Sequence, residues 1–199
     1  MSANPRAFPV TVLDFESTGA VSGYPDEPWQ LGLVRLAAGR VEPDSAYESL
    51  LRVGARPFNR HAPGRHAELR DRMREAPALP ALWPRLAPLL GGGTVLAAHN
   101  AATEKKFLRA AFPLQAFGPW LDTLKLARIA WPGLPSYTLE ALLDRLGLTA
   151  RTAALAPGRG PHDALYDTVG SALLLETILH LPGWEQAGLR HLITAQAPR

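Results

Sequence analysis

Along the chain, apolar residues fall first in short, strand-like runs and later at helical spacing. Residues 8–16 (FPVTVLDFE) form a mostly apolar run and predict a strand. Residues 29–38 (WQLGLVRLAA) alternate well enough for a second strand, Gly39 marks a turn, and residues 46–53 (AYESLLRV) predict a third. Residues 54–64 carry Pro, Gly and Asn and read as loop. Leu79, Leu82, Leu86, Leu89 and Leu90 recur at helical spacing, and Gly91–Gly93 stop that helix. Residues 94–98 (TVLAA) predict a short buried strand. Asn100 is placed to N-cap a helix reaching Ala111. Residues 136–147 predict another helix with Gly147 as its stop, residues 149–161 a loop, and residues 163–180 the last long helix. Three strands, then helices around a further strand, make an α/β plan. The antiparallel start argues against a doubly wound nucleotide-binding sheet. GGGT at 91–94 lacks a phosphate-loop pattern and precedes its strand instead of following one.

Composition narrows the chemistry. A chain of 199 residues fits one domain, with its core over about 8–181 and a tail at 182–199 that either docks a partner or covers the core. A charged fraction of 20% fits a soluble globular protein. With no long apolar span and a polar start (MSANPRAFPV), the expectation is a cytoplasmic protein with no membrane partner. Cysteine is absent, which removes disulfides and thiolate metal sites and leaves carboxylate and imidazole as ligands. The net charge is +3, and nearly all the positive charge is Arg, because Lys105, Lys106 and Lys125 are the only lysines. Arg52, Arg56, Arg60, Arg65, Arg70, Arg72 and Arg74 crowd one stretch, either to meet phosphates or simply as a solvated loop.

The first strand contains an anomaly. Asp14 and Glu16 interrupt its apolar run two residues apart, so they share a face with α-carbons about 7 Å apart. Such carboxylates repel and raise each other's pKa unless a cation lies between them or both reach water. Oxygen-only ligands favour Mg²⁺ or Mn²⁺ over a structural zinc. In residues 99–112 (HNAATEKKFLRAAF), Glu104, Phe107, Leu108 and Ala111 occupy one helix face, so Glu104 heads the core-facing stripe. Asp167 sits in the first turns of an otherwise apolar helix. His162, five residues earlier, belongs on the loop edge, where Gly158, Gly160 and Pro161 leave room for motion.

Asp14-x-Glu16 followed by Thr18-Gly19, then His99-Asn100-Ala101 before an acid-bearing helix, then His162-x4-Asp167, resembles the DEDDh 3′→5′ exonucleases. The proofreading epsilon subunits of bacterial DNA polymerase III and ribonuclease T belong to that family. The likeness runs from about Phe8 to Leu181, with HAELRDRMREAP, WLDTLKLAR and LPSYTLEALLDRLGL also in family order. It implies an RNase H-like fold, a mixed central sheet flanked by helices, and two divalent cations, Mg²⁺ or Mn²⁺. By resemblance, Asp14 bridges both metals, Glu16 and Asp167 complete one, Glu104 holds the second through water, and His162 is the general base. Thr18 and Gly19 then lie near the 3′-terminal nucleotide, with His66 and Asn100 lining the site. An unperturbed imidazole titrates near ~6.5, which suits a base near neutrality.

The chain departs from the pattern at Glu104, where the family has Asp. The extra methylene moves the carboxylate by over ~1 Å, against a site tolerance of about 0.5 Å. The expectation is that Glu104 still serves. Gln30 stands where the second strand often carries Glu, and no catalytic role is assigned to it. Val21, Tyr24 and Trp29 either stack on terminal bases or cover the sheet edge. The resulting expectation is an exonuclease acting on single-stranded DNA or RNA 3′ ends, DNA before RNA, releasing 5′-mononucleotides, with a DNA polymerase as a candidate partner. The alternatives are an RNA-trimming exoribonuclease, a non-catalytic nucleic-acid-binding or polymerase-associated module, and a phosphohydrolase of small molecules, for which no lid domain is evident.

Overall fold

The computed structural model describes residue 6 and residues 8–196. Most of the polar start MSANPRAFPV, and residues 197–199 of the tail, lie outside the described residues. The strands are β1 (Val10–Ser17), β2 (Pro28–Ala37), β3 (Arg40–Leu50), β4 (Val95–Ala98) and β5 (Trp120–Asp122). The helices are α1 (His66–Glu75), α2 (Trp83–Leu90), α3 (Ala102–Ala111), α4 (Thr123–Ala130), α5 (Leu139–Arg145), α6 (Thr149–Leu155), α7 (Ala164–Leu179) and α8 (Leu189–Thr194). One mixed sheet runs in the order β3-β2-β1-β4-β5. β1 pairs antiparallel with β2 and parallel with β4, and β4 is parallel to β5. This is the mixed, helix-flanked sheet expected of the RNase H-like fold.

The period of two in β1 sorts its side chains. Val10 and Val12 join the core formed with α4, α5 and α7, whereas Leu13 and Phe15 join the opposite core with α2 and α3. Asp14 and Glu16 therefore continue the Val10–Val12 row, toward α7, at the end of the strand. The strands β1, β4 and β5 run in one direction, so their C-terminal ends share the sheet edge at which α3 and α4 begin.

Three expectations are corrected. The third strand spans Arg40–Leu50, not 46–53. Ala38 and Gly39 both have positive φ and make the two-residue turn that suits the strand twist. Pro43 and Asp44 read as breakers, but β3 is an edge strand with an irregular register there. Ser45 closes the gap, accepting from Arg35 N–H at 2.8 Å and donating to Glu42 O at 2.6 Å. Residues 149–155 form α6, not loop: Thr152 and Ala156 are buried, and the Thr152 hydroxyl bonds back to Leu148 O. Asn100 does not cap α3. It sits at φ 65°, its N–H donates to Asp122 Oδ1, and the cap position falls to Ala101. The expected helix at 79–90 begins as a short 3₁₀ turn over Leu79–Leu82, and the one at 136–147 is α5, capped by the Thr138 hydroxyl.

One contact sets the depth at which α7 lies on the sheet. Gly32 pairs with Asp14, and a Cβ there would stand 2.2 Å from Ala164 O and 2.7 Å from Leu165 N. Only a residue without a side chain lets the first turn of α7 press on β2. Gln30 fastens the same turn: its Nε2 donates to Asp163 Oδ2 at 3.1 Å, and Ala164 N–H donates to its Oε1 at 3.2 Å. Asp163 in turn caps α7, accepting from Leu165 and Tyr166 N–H. Because the obstacle is backbone, Gly32→Ala is expected to cost about 1–3 kcal/mol or more of unfolding free energy in urea. An unchanged midpoint would show that the contact is not needed.

Candidate metal centre

Four carboxylates converge where β1 ends. Asp14 and Glu16 come from β1, Asp167 from the first turn of α7, and Glu104 from the first turn of α3. Glu104 is placed by its helix face: Phe107 and Leu108 are buried below it, and Phe107 meets Phe15 edge-on at 5.6 Å. Glu16 and Glu104 are 8% and 3% exposed, while Asp14 and Asp167 are partly open. Among the described residues, no Lys or Arg pairs with any of the four. One oxygen of Glu104 is buried with no hydrogen-bond partner.

Uncompensated negative charge in a dry place raises the proton affinity of each group. Asp14 is pushed well above the ordinary carboxylate range by loss of water, then by Glu104, Glu16 and Asp167. Glu16 rises to about 8, through burial and then Asp167. Glu104 rises to about 7, chiefly through burial. Asp167 also reaches about 7 through burial, although the N–H of His162 donates to its Oδ2 at 3.0 Å and opposes the rise.

The tightest set of donors contains an imidazole. Glu16, His162 and Asp167 each offer a ligand atom, all within 4.8 Å of one another. Asp14 and Glu104 lie outside that trio; Glu104 raises the proton affinity of Glu16, and Glu16 and Asp167 raise that of Asp14. Oxygen donors, one buried and unpartnered, with an imidazole beside them, fit a divalent cation.

The His162 loop is tied down. Asp163 N–H donates to Gly160 O at 3.2 Å, and Arg159 Nη1 reaches Asp163 Oδ2 at 3.0 Å while its Nη2 pairs with Glu48. His162 itself has φ 62°. Gly64 lies against it: a Cβ there would meet His162 O at 2.7 Å and a Glu16 carboxylate oxygen at 3.7 Å. Gly32, Gly64, Arg159 and Asp163 carry no chemistry-bearing motif and are not among the candidate site residues legible in the sequence. The glycine inside a strand was the signal available for Gly32, and the Asp before an apolar helix for Asp163.

The other singled-out residues divide. Thr18 is buried, with its hydroxyl between Asp26, Gly19 O and Glu27 N–H, and so organises the loop after β1. Gly19 has φ 69° and abuts Asn59. His66 stacks on Phe58 and holds Ala62 O, and Asn100 is exposed at the sheet edge. Trp29 is buried, donating to Ser17 O, so it covers the sheet, whereas Tyr24 is 45% exposed. Much of the arginine stretch is engaged locally: Arg56 with Glu27, Arg65 with Glu68, Arg74 with Asp71, and Arg70 over the Phe58 ring. No helix among the described residues is long and apolar enough to cross a membrane.

Comparison with known proteins gives a consistent set. Residues 11–175 match the RNase T family of exonuclease domains. A DNA polymerase III subunit epsilon-like protein of Rhodobacter capsulatus is 32% identical over 182 residues, covering 89% of this chain and 24% of that protein. Exodeoxyribonuclease 10 of Escherichia coli K12 is 38% identical over 87 residues, covering 44% of this chain and 36% of that one. The chain thus spans well under half the length of these curated relatives. Among solved structures, exonuclease X in complex with 5′-overhanging duplex DNA superposes with a TM-score of 0.68 at 28% identity, covering 94% of this chain and 98% of that one.

The raised carboxylates make a pH prediction. A carboxyl whose folded pKa is raised contributes most below its unfolded value near 4, and that contribution is lost as pH rises through the folded value. The metal-free protein should therefore lose thermal stability between about pH 5 and 8. Saturating Mn²⁺ should raise the melting temperature, more at pH 8 than at pH 5, because protons and metal compete for the same oxygens. Melting curves in EDTA and in Mn²⁺ across that range test it. A metal increment that shrinks with rising pH would contradict it.

Proposed function

Given that the chain belongs to the exonuclease family, of the DEDDh type its motifs resemble, we propose that it is a metal-dependent 3′→5′ exonuclease. It acts on single-stranded 3′ ends, DNA in preference to RNA, and releases 5′-mononucleotides. The observation that carries this reading is the convergence of four carboxylates with no Lys or Arg partner among the described residues, beside an exposed histidine. Asp14, Glu16, Asp167 and Glu104 would hold two divalent cations, Mg²⁺ or Mn²⁺. When bound, these stabilise charge on the entering and leaving oxygens of an in-line displacement at phosphorus.

The chain's own groups do the rest. His162 accepts the proton of the attacking water on a ring nitrogen. Its exposure puts it on the solvent side of the carboxylates, where a strand end arrives. The tether from its N–H to Asp167 keeps it beside the acids. Thr18 acts through the loop it organises, and Gly19 gives a backbone approach that a side chain would obstruct. His66 and Asn100 border the substrate path. Contacts to phosphate and base faces make the enzyme tolerant of sequence. Glu104 replaces Asp yet remains buried beside Asp14, which supports retained function over a non-catalytic module. The polymerase named in one relative makes a polymerase a candidate partner.

The test uses a 5′-labelled single-stranded DNA and its RNA counterpart with Mg²⁺, Mn²⁺ or EDTA. A ladder descending from the 3′ end is expected, faster on DNA and abolished by EDTA. His162→Ala should lower the rate by about 10²–10⁴-fold, the range of general-base catalysis. Intact DNA and RNA in every lane, from folded protein, would overturn the reading, and a faster RNA ladder would reverse the substrate order.

A further inference from the structure

We propose that, before substrate arrives, His162 is itself a metal ligand, completing with Glu16 and Asp167 a site for Zn²⁺ that holds the base in reserve. This rests on the carboxylate metal centre proposed above. It goes beyond it because a histidine whose ring nitrogen coordinates a metal has no lone pair there to accept a proton from water. In the resting state the imidazole would be a ligand, and in the working state a base.

The geometry places His162, not Asp14, in the compact donor group. Three constraints hold it there. Its N–H is bonded to Asp167 Oδ2 at 3.0 Å. Arg159 ties the loop to Asp163 and Glu48. Gly64 leaves the space in which the His162 backbone and the Glu16 carboxylate lie close together. Zinc–nitrogen and zinc–oxygen bonds are about 2.0–2.2 Å and tetrahedral donors stand ~3.4 Å apart, so donors within 4.8 Å of one another need draw in by no more than ~1.4 Å. The His162 side chain is exposed and can supply that movement by turning about its side-chain bonds. One buried carboxylate oxygen, on Glu104, lies without a partner in the adjoining set and marks the region as built for positive charge.

Donor chemistry then selects the ion. Two carboxylates and an imidazole are a Zn²⁺ set, whereas Mg²⁺ demands oxygen and near-octahedral geometry. Intrinsic affinity also rises from Mn²⁺ to Zn²⁺ for a given nitrogen and oxygen site. The same pocket thus has two occupancies: an all-oxygen one that leaves His162 available, and a mixed one that consumes it.

Calorimetric titration of metal-stripped protein with Zn²⁺, Mn²⁺ and Mg²⁺ tests this, without substrate, on wild type and on His162→Ala and His162→Asn. Asn tolerates the left-handed backbone at this position, so His162→Asn separates loss of the ligand from loss of the loop. Loss of an outer-shell partner already costs 10–100-fold, so both variants should weaken Zn²⁺ by at least about tenfold. Mn²⁺ and Mg²⁺ should stay within about twofold of wild type. Imidazole resonances of His162 should shift on adding Zn²⁺ but not Mg²⁺. Unchanged Zn²⁺ affinity in His162→Asn, with Mn²⁺ binding intact, would overturn the proposal and leave the exonuclease reading standing. Failure of wild type to bind any of the three ions would overturn both.

Discussion

The contact on which this molecule depends is the one between the first turn of α7 and the backbone of β2. Gly32 supplies no side chain, so Ala164 descends to a distance that any Cβ would forbid. Gln30 then bonds both Asp163 and the N–H of Ala164. Asp167 is one helical turn beyond that anchor. Its carboxylate is brought to Asp14 and Glu16 because the glycine lets the helix sit this low and Gln30 holds it there. A looser helix would leave the acids of β1 facing water, with ordinary affinities for protons.

That placement creates the electrostatic tension of the site. Coulomb repulsion and lost hydration act together on Asp14, Glu16, Glu104 and Asp167, and no Lys or Arg among the described residues relieves them by pairing. The cationic residues nearby are spent elsewhere: Arg159 on Glu48 and Asp163, Lys125 on Asp122. Folding therefore builds a centre that must take up protons or metal. The packing of two separate hydrophobic cores, one on each face of the sheet, holds it in place against that repulsion.

The site was more legible in the sequence than the structure around it. Asp14-x-Glu16 stood out because charges interrupt a strand, and Glu104 because it heads an apolar stripe; both arguments use only periodicity. The pairing of His162 with Asp167 was legible as a loop residue followed by a helix residue. The parts that were not legible are long-range. Nothing local in Gln30 announces Asp163, 133 residues away. Gly64 shows its purpose only against His162 and Glu16. Pro43 and Asp44 disguised the first half of β3, because the ladder is repaired there by a bond between Ser45 and Arg35 of the neighbouring strand. Helix α6 reads as loop in the sequence because it is short, carries two threonines and runs into Pro157, Gly158 and Gly160, while its burial comes from packing on α7.

Anomalous diffraction from crystals of the protein soaked in Mn²⁺ tests the central claim most directly. The account predicts Mn²⁺ peaks among Asp14, Glu16 and Asp167, with Glu104 beside the second ion. Absence of Mn²⁺ from these carboxylates in well-ordered crystals near neutral pH, or peaks confined to other acids on the surface, would contradict it.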